Sequence, residues 1–256
     1  MVLAIDIGNT NIVIGCFDDG KILFIERVST NHMATDLEYA ATIKMALNVH
    51  GYSTSMLDGA IISSVVPSLT ITIKKAIKKF ANVEAMSVSP GIKTGLSIMI
   101  DNPAQLGSDL VVDAVAGINT YPVPQIIIDM GTATTVSVID RNKNYIGTMI
   151  MTGVSTSADA LTSRTAQLPK IAFETPHNLI GKNTVDSMRN GIMYANACAI
   201  DGITERIEEE IGEKCTVIAT GGLAGVIVPL CKKNVILDDE LLLKGLMIIY
   251  NKNKQP

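Results

Sequence analysis

Two stretches of this chain, almost half its length apart, carry the same signal. Ala4-Ile5-Asp6-Ile7-Gly8-Asn9-Thr10 and Ile127-Ile128-Asp129-Met130-Gly131-Thr132-Ala133 each lead an apolar run into an aspartate and a glycine, at an offset of 123 in 256 residues. The surroundings repeat as well. Around the first copy the pattern predicts strands at 2–5, 12–17 and 21–28, joined by Gly8-Asn9-Thr10-Asn11 and Asp18-Asp19-Gly20, which are turn chemistries. Around the second it predicts strands at 125–129, 136–140 and 145–151, with turns at 131–135 and 141–144. A period this long indicates two duplicated halves, not a solenoid. It divides the chain into domains 1–117 and 118–256.

Helical spacing fills the remainder. Leu37, Ala40, Ile43 and Leu47 predict one amphipathic helix, and Leu69, Ile73, Ile77 and Phe80 another. Lys74, Lys75, Lys78 and Lys79 form the solvated side of the second. The apolar run 60–66 before Pro67 reads as a buried parallel strand. In the second half, helices are predicted at 158–167 and 184–211, the longer one broken or bent near Gly191 and Gly202. A strand at 216–219 enters Thr220-Gly221-Gly222-Leu223-Ala224, and Asp238 and Asp239 precede a last helix through Leu241, Leu242, Leu246 and Ile249.

Composition removes several classes. With 47% hydrophobic and 18% charged residues the chain is not disordered. Lys+Arg total 21 against Asp+Glu 25, so no basic excess points to nucleic acid. No stretch approaches ~20 uninterrupted apolar residues, and Met1-Val2-Leu3-Ala4-Ile5-Asp6 lacks the layout of a signal peptide. Neither a membrane nor export is expected. Cys16, Cys198, Cys215 and Cys231 form no C-x-x-C pair, and His32, His50 and His177 show no ligand spacing. Reduced thiols in a cytoplasmic protein are the expectation.

The chemistry is read from the turns. A carboxylate closing a strand, followed by glycine and hydroxyl residues, can hold a cation and aim amides at phosphate. One such turn is as readily a local Asx turn. Two in matching surroundings, with a late Thr-Gly-Gly after a strand, describe two phosphate-facing hairpins and a glycine-rich edge for a nucleotide. No P-loop competes: Pro176 stands where its first glycine belongs, and Asn183 replaces its Ser/Thr after Gly181-Lys182. No G-x-G-x-x-G follows the first strand.

On these residues the chain resembles the acetate kinase, hexokinase, Hsp70 and actin superfamily, and within it type III pantothenate kinase. The motifs run in that family's order: Asp6-Ile7-Gly8-Asn9-Thr10-Asn11, Asp101-Asn102-Pro103, Leu106-Gly107-Ser108-Asp109, Asp129-Met130-Gly131-Thr132-Ala133-Thr134-Thr135, Gly181-Lys182-Asn183-Thr184 and Ala219-Thr220-Gly221-Gly222-Leu223-Ala224. The resemblance implies an α/β fold of two duplicated ribonuclease H-like (actin-like ATPase) domains around a central cleft. It implies ATP-dependent phosphorylation of pantothenate and a homodimer. Asp6, Ile7, Gly8, Asn9, Thr10, Asn11, Ile12 and Val13 would cradle ATP, Asp6 organising Mg²⁺ through water, and Thr132 would add a contact. Asp129 would help bind a monovalent cation, K⁺ or NH₄⁺. Gly107, Ser108, Asp109, Leu110 and Thr184 would line the pantothenate site, with Asp109 as the base. Phosphoryl transfer asks mainly for positioning and charge neutralisation, with a carboxylate to orient the attacking hydroxyl. From spacing alone Asp109 reads as a capping residue at a helix N-terminus, and it is the family motif around it that makes it the base.

The chain departs from the family in its acceptor residues. The usual G-A-D-R reads Gly107-Ser108-Asp109-Leu110, Ile100 stands where an aromatic residue is common, and the usual P-G reads Thr152-Gly153. Two other readings follow: a kinase of this fold for another small hydroxy acid, or a nucleotide-binding regulator with weak catalysis.

Overall fold

The computed structural model describes residues 1–254. The chain forms two compact units: residues 1–96, 102–116 and the segment from Leu241 onward make unit 1, and residues 97–101 and 117–240 make unit 2. The main division thus falls between Ala116 and Gly117. The final helix, placed in the second half by the repeat, belongs to the first unit.

Unit 1 opens with the meander β1 (Val2–Ile7), β2 (Asn11–Asp18) and β3 (Lys21–Ser29), followed by α1 (Asp36–Val49), β4 (Gly59–Ser64), α2 (Pro67–Ala81) and β5 (Ala85–Ser87). The next strand, β6 (Ser97–Ile98), joins unit 2, and α3 (Ser108–Thr120) begins in unit 1. Unit 2 contains β7 (Gln125–Met130), β8 (Ala133–Ile139), β9 (Asn144–Thr152), α4 (Val154–Arg164), α5 (Thr184–Ile211), β10 (Thr216–Thr220), α6 (Ala224–Ile227) and β11 (Val235–Leu237). Helix α7 (Leu241–Asn253) closes the described chain.

The duplication is written in the strand order. The unit 1 sheet runs β3-β2-β1-β4-β5, and the unit 2 sheet runs β9-β8-β7-β10-β11 with β6 added beside β9. In each, the three meander strands are antiparallel and the remaining two join in parallel.

Side chains alternate across these sheets. In unit 1, Leu3, Ile5 and Ile7 of β1 join Ile12 and Ile14 of β2 in a core against Ile43 and Leu47 of α1 and Leu69 and Ile73 of α2. The opposite face carries small residues where α7 comes close. A β-carbon on Gly15 would strike Leu243, and one on Gly59 would strike Tyr250. Asn253 then laces α7 to Lys93, donating to its carbonyl (2.8 Å) and accepting from its N–H (3.0 Å). In unit 2, Ile126 and Ile128 of β7 pack with Val136 of β8, Ala219 of β10, and Met193, Ala197 and Ile200 of α5.

Two helices differ from the sequence reading. Helix α4 begins at Val154, because extended Gly153 lets the chain turn into helix directly after β9. It stops at Arg164, where the Thr165 hydroxyl takes the Leu161 carbonyl (2.9 Å). Helix α5 passes unbroken through Gly191 and Gly202. Two internal glycines cost ~1 kcal/mol each, and the burial of Met188, Ile192, Met193, Ala197 and Ile200 on one face offsets that. Of the α2 lysines, Lys78 pairs with Glu84 and Lys79 with Asp36, ordinary surface contacts. Among the described residues no helix is long and apolar enough to cross a membrane.

Candidate active site

Each unit presents one aspartate at the end of its first strand, followed by a tight turn. In unit 1, Gly8 N–H donates to the Asn11 carbonyl (3.0 Å), which closes the turn and leaves Asn9, Thr10 and Asn11 exposed. Ile7 and Ile12 bury their side chains, so only their backbone is available to a phosphate. In unit 2, Gly131 N–H donates to the Ala133 carbonyl (3.1 Å) and Thr132 is exposed. The two turns share the glycine donor, but the second is one residue shorter: Ile7 pairs with Ile12, whereas Met130 pairs with Thr134.

A threonine beyond the third strand pins each of them. Thr30 donates its N–H to the Thr10 carbonyl (2.9 Å) and its hydroxyl to the Gly8 carbonyl (2.7 Å). Thr156 donates its hydroxyl to the Thr132 carbonyl (2.7 Å). Gly153 lies against the same turn, and a β-carbon there would collide with the carbonyls of Gly131 and Thr132. Sequence reasoning missed both threonines. Thr30 directly follows β3 whereas Thr156 lies in the first turn of α4, so the repeat offset does not align them and the sequence alone carries no signal for the pair.

Asp129 faces the glycine-rich turn. Parallel pairing sets Asp129 beside Thr220, and Gly221 follows at φ +96°. A β-carbon at 221 would lie 2.5 Å from Asp129 Oδ1 and 2.6 Å from Met130 N. Only glycine combines that backbone angle with so close an approach. The Thr-Gly-Gly and Asp-x-Gly motifs therefore form one edge of unit 2.

Asp6 and Asp109 are joined within unit 1. Asp6 pairs with Ser63 in parallel register, and both fall on the sheet face opposite the α1 and α2 core. Ser63 Oγ lies 3.0 Å from Ser108 Oγ at the start of α3. Ser108 also accepts from Ser64 N–H (2.9 Å) and donates to the Ser64 carbonyl (3.0 Å). Asp109 follows directly, one residue into the helix. Its Oδ1 accepts from Leu110 N–H (2.9 Å), so the carboxylate does contact the helix N-terminus, as the capping alternative requires. Burial nevertheless dominates and raises its pKa above the ordinary aspartate value, the Leu110 amide opposing that only in part.

The other acceptor-side residues belong to both units. Leu110 is buried, at 8% exposure. Thr184 opens α5 and lines a cavity of about 520 Å³ in unit 2 with Leu161, Gly181, Lys182 and Met188. Ile100 is half-buried in unit 2, and Asp101 beside it is exposed.

Comparison with known proteins shows the family. The sequence pattern of the type III pantothenate kinase family matches residues 2–206. A protein named type III pantothenate kinase from Bacillus cytotoxicus is 43% identical over 253 residues, 99% of this chain and 97% of the relative. One of the same name from Halalkalibacterium halodurans is 41% identical over 253 residues, covering 99% and 100%. Among solved structures, component A of (R)-2-hydroxyglutaryl-CoA dehydratase from Acidaminococcus fermentans superposes with a TM-score of 0.56 at 14% identity, over 99% of each chain. The ethanolamine utilization protein EutJ from Carboxydothermus hydrogenoformans gives 0.53 at 16%, over 96% of this chain and 88% of its own. These two share the fold alone, that of duplicated actin-like ATPase domains.

Proposed function

The chain belongs to the type III pantothenate kinase family, and from that premise we propose how its own residues carry out the reaction. It phosphorylates pantothenate with ATP, the first step toward coenzyme A. The oxygen of the primary hydroxyl of pantothenate bonds to the γ-phosphorus as the bond to ADP breaks, and the hydroxyl proton passes to Asp109.

The observation that carries this assignment is the link Asp6, Ser63, Ser108, Asp109. It ties the carboxylate of the phosphate-facing hairpin to the carboxylate of the acceptor side through one strand pairing and one hydroxyl contact. The raised pKa of Asp109 suits a base, since a buried carboxylate gains more by taking a proton than a solvated one.

Mg²⁺ keeps most of its water and needs only one or two carboxylates when substrate phosphates complete its shell. Among the described residues no three His, Cys, Asp or Glu gather as a ligand cluster, and the single carboxylate of Asp6 fits an ion held through water. When bound, Mg²⁺ neutralises charge on the phosphates. Asp129, packed against the backbone of Gly221, is the residue we assign to a monovalent cation, K⁺ or NH₄⁺, which relieves like charge beside the phosphates. Asn9, Thr10, Asn11 and Thr132 are assigned to ATP, and Gly107 and Thr184 to pantothenate.

A homodimer is also proposed. Thr148, Met149 and Ile150 of β9 are exposed in succession, so both faces of that strand stand uncovered in the single chain.

The test is a reconstituted assay with ATP, MgCl₂ and KCl, following 4'-phosphopantothenate by mass. Pantothenate should be the best acceptor. Buried Leu110, which offers no cation to a carboxylate, favours the second reading, a kinase for another hydroxy acid. A better acceptor in the same assay would establish that reading instead.

A further inference from the structure

Ser108 stands inside the stretch assigned to pantothenate, yet its hydroxyl has nothing left to offer a substrate. A serine hydroxyl has one hydrogen and two lone pairs. The hydrogen goes to the Ser64 carbonyl (3.0 Å), and the lone pairs accept from Ser64 N–H (2.9 Å) and from the Ser63 hydroxyl (3.0 Å). Ser63 is wholly buried, so its own hydroxyl is equally out of reach of a ligand. We infer that Ser108 is a positioning residue: its hydroxyl clips the first turn of α3 to the end of β4 and so fixes where Asp109 stands relative to Asp6.

The geometry explains why a clip matters here. Ser63 and Asp6 are register partners on one face of the sheet, and Asp109 is the next residue after the clip. Two contacts of the Asp109 carboxylate are local: Leu110 N–H on one side and Gly107 on the other. Both belong to the same helix start, and neither can hold that start against the strand. Removing the Ser108 hydroxyl leaves Ser63 Oγ and both backbone groups of Ser64 without this partner, a cost that favours movement of the helix end.

The inference rests on Asp109 being the base, and the experiment separates the two. Ser108→Ala and Ser63→Ala are compared singly and together. Each single variant should lose about tenfold in kcat, in keeping with a misplaced catalytic group, while the pantothenate and ATP KM values stay within about twofold. The double variant should lose no more than the worse single one, because both remove one link. In denaturant unfolding, the double variant should depart from additivity by about fivefold in the unfolding constant. A raised pantothenate KM with kcat intact in Ser108→Ala would make Ser108 a substrate contact and overturn the inference. So would a Ser63→Ala variant of native kcat, or additive unfolding. If the native protein phosphorylates no pantothenate, the assignment of Asp109 fails first, and the unfolding cycle still reports whether the clip exists.

Discussion

The carboxylate of Asp109 folds back over Gly107, so that a β-carbon at position 107 would fall on Asp109 Oδ1. The clash is with the end of a side chain, not with backbone, and so displaces the carboxylate without unfolding the helix. Gly107→Ala should keep a melting temperature close to the native value and lose at least ~10-fold in kcat. A folded Gly107→Ala enzyme with native turnover would remove Asp109 from the chemistry.

Asp109 also sets a pH dependence. Burial raises its pKa in the folded state, so the neutral carboxyl stabilises the fold below the unfolded pKa. That contribution is lost as pH rises through the folded pKa. At neutral pH the ionised group is therefore a burden, and Asp109→Asn should melt at or above the native temperature there, the gap closing in acid. The same substitution should lower kcat by at least ~10²-fold while ATP still binds. In the native enzyme the acid limb of kcat/KM should lie above the ordinary aspartate range. Thermal melts across pH beside kinetic profiles check both halves, and a destabilised Asp109→Asn at neutral pH would favour a purely capping carboxylate.

For the second aspartate the prediction concerns ions. Activity should require K⁺ or NH₄⁺ as well as Mg²⁺, and Asp129→Ala should flatten that requirement. Gly221→Ala should destabilise the protein by ~1–3 kcal/mol, since φ +96° is strained for alanine and its β-carbon meets the Met130 backbone. Equal rates in Na⁺-only and K⁺ buffers count against the cation assignment.

Leu110→Arg tests the departure in the acceptor residues. An arginine can bind the pantothenate carboxylate with paired, charge-assisted hydrogen bonds. Such contacts commonly reach ~1.5–3 kcal/mol, so the pantothenate KM should fall by about 10-fold or more while the ATP KM holds. Because Leu110 is 8% exposed, the variant should also melt lower than the native protein, having lost about 2 kcal/mol of apolar burial. An unchanged pantothenate KM would place the carboxylate elsewhere.

The duplicated hairpins were legible in the sequence because their determinants are local. An aspartate ending an apolar run and a glycine in the turn specify strand, turn and chemistry within seven residues, twice over. The position of α7 was not legible, since its apolar face would suit either unit. What assigns it are Gly15 and Gly59, more than 180 residues earlier, whose missing side chains leave room for Leu243 and Tyr250. Continuity of α5 through two glycines depends likewise on tertiary burial that propensity does not see. Ser108 reads as a substrate-site residue and Ser63 carries no signal, and only the packing of the α3 start against the end of β4 brings their hydroxyls within 3.0 Å.

Helix α7 also orders the maturation of the protein in time. Domains ordinarily fold as they leave the ribosome, the earlier one first. Here the helix that packs on β1 and β4 is translated after all of unit 2. Until it emerges, Gly15 and Gly59 lack their covering side chains, and a ribosome stalled within unit 2 holds an N-terminal half open to chaperones or proteases. Thirteen residues encoded after unit 2 decide when the beginning of the chain is finished.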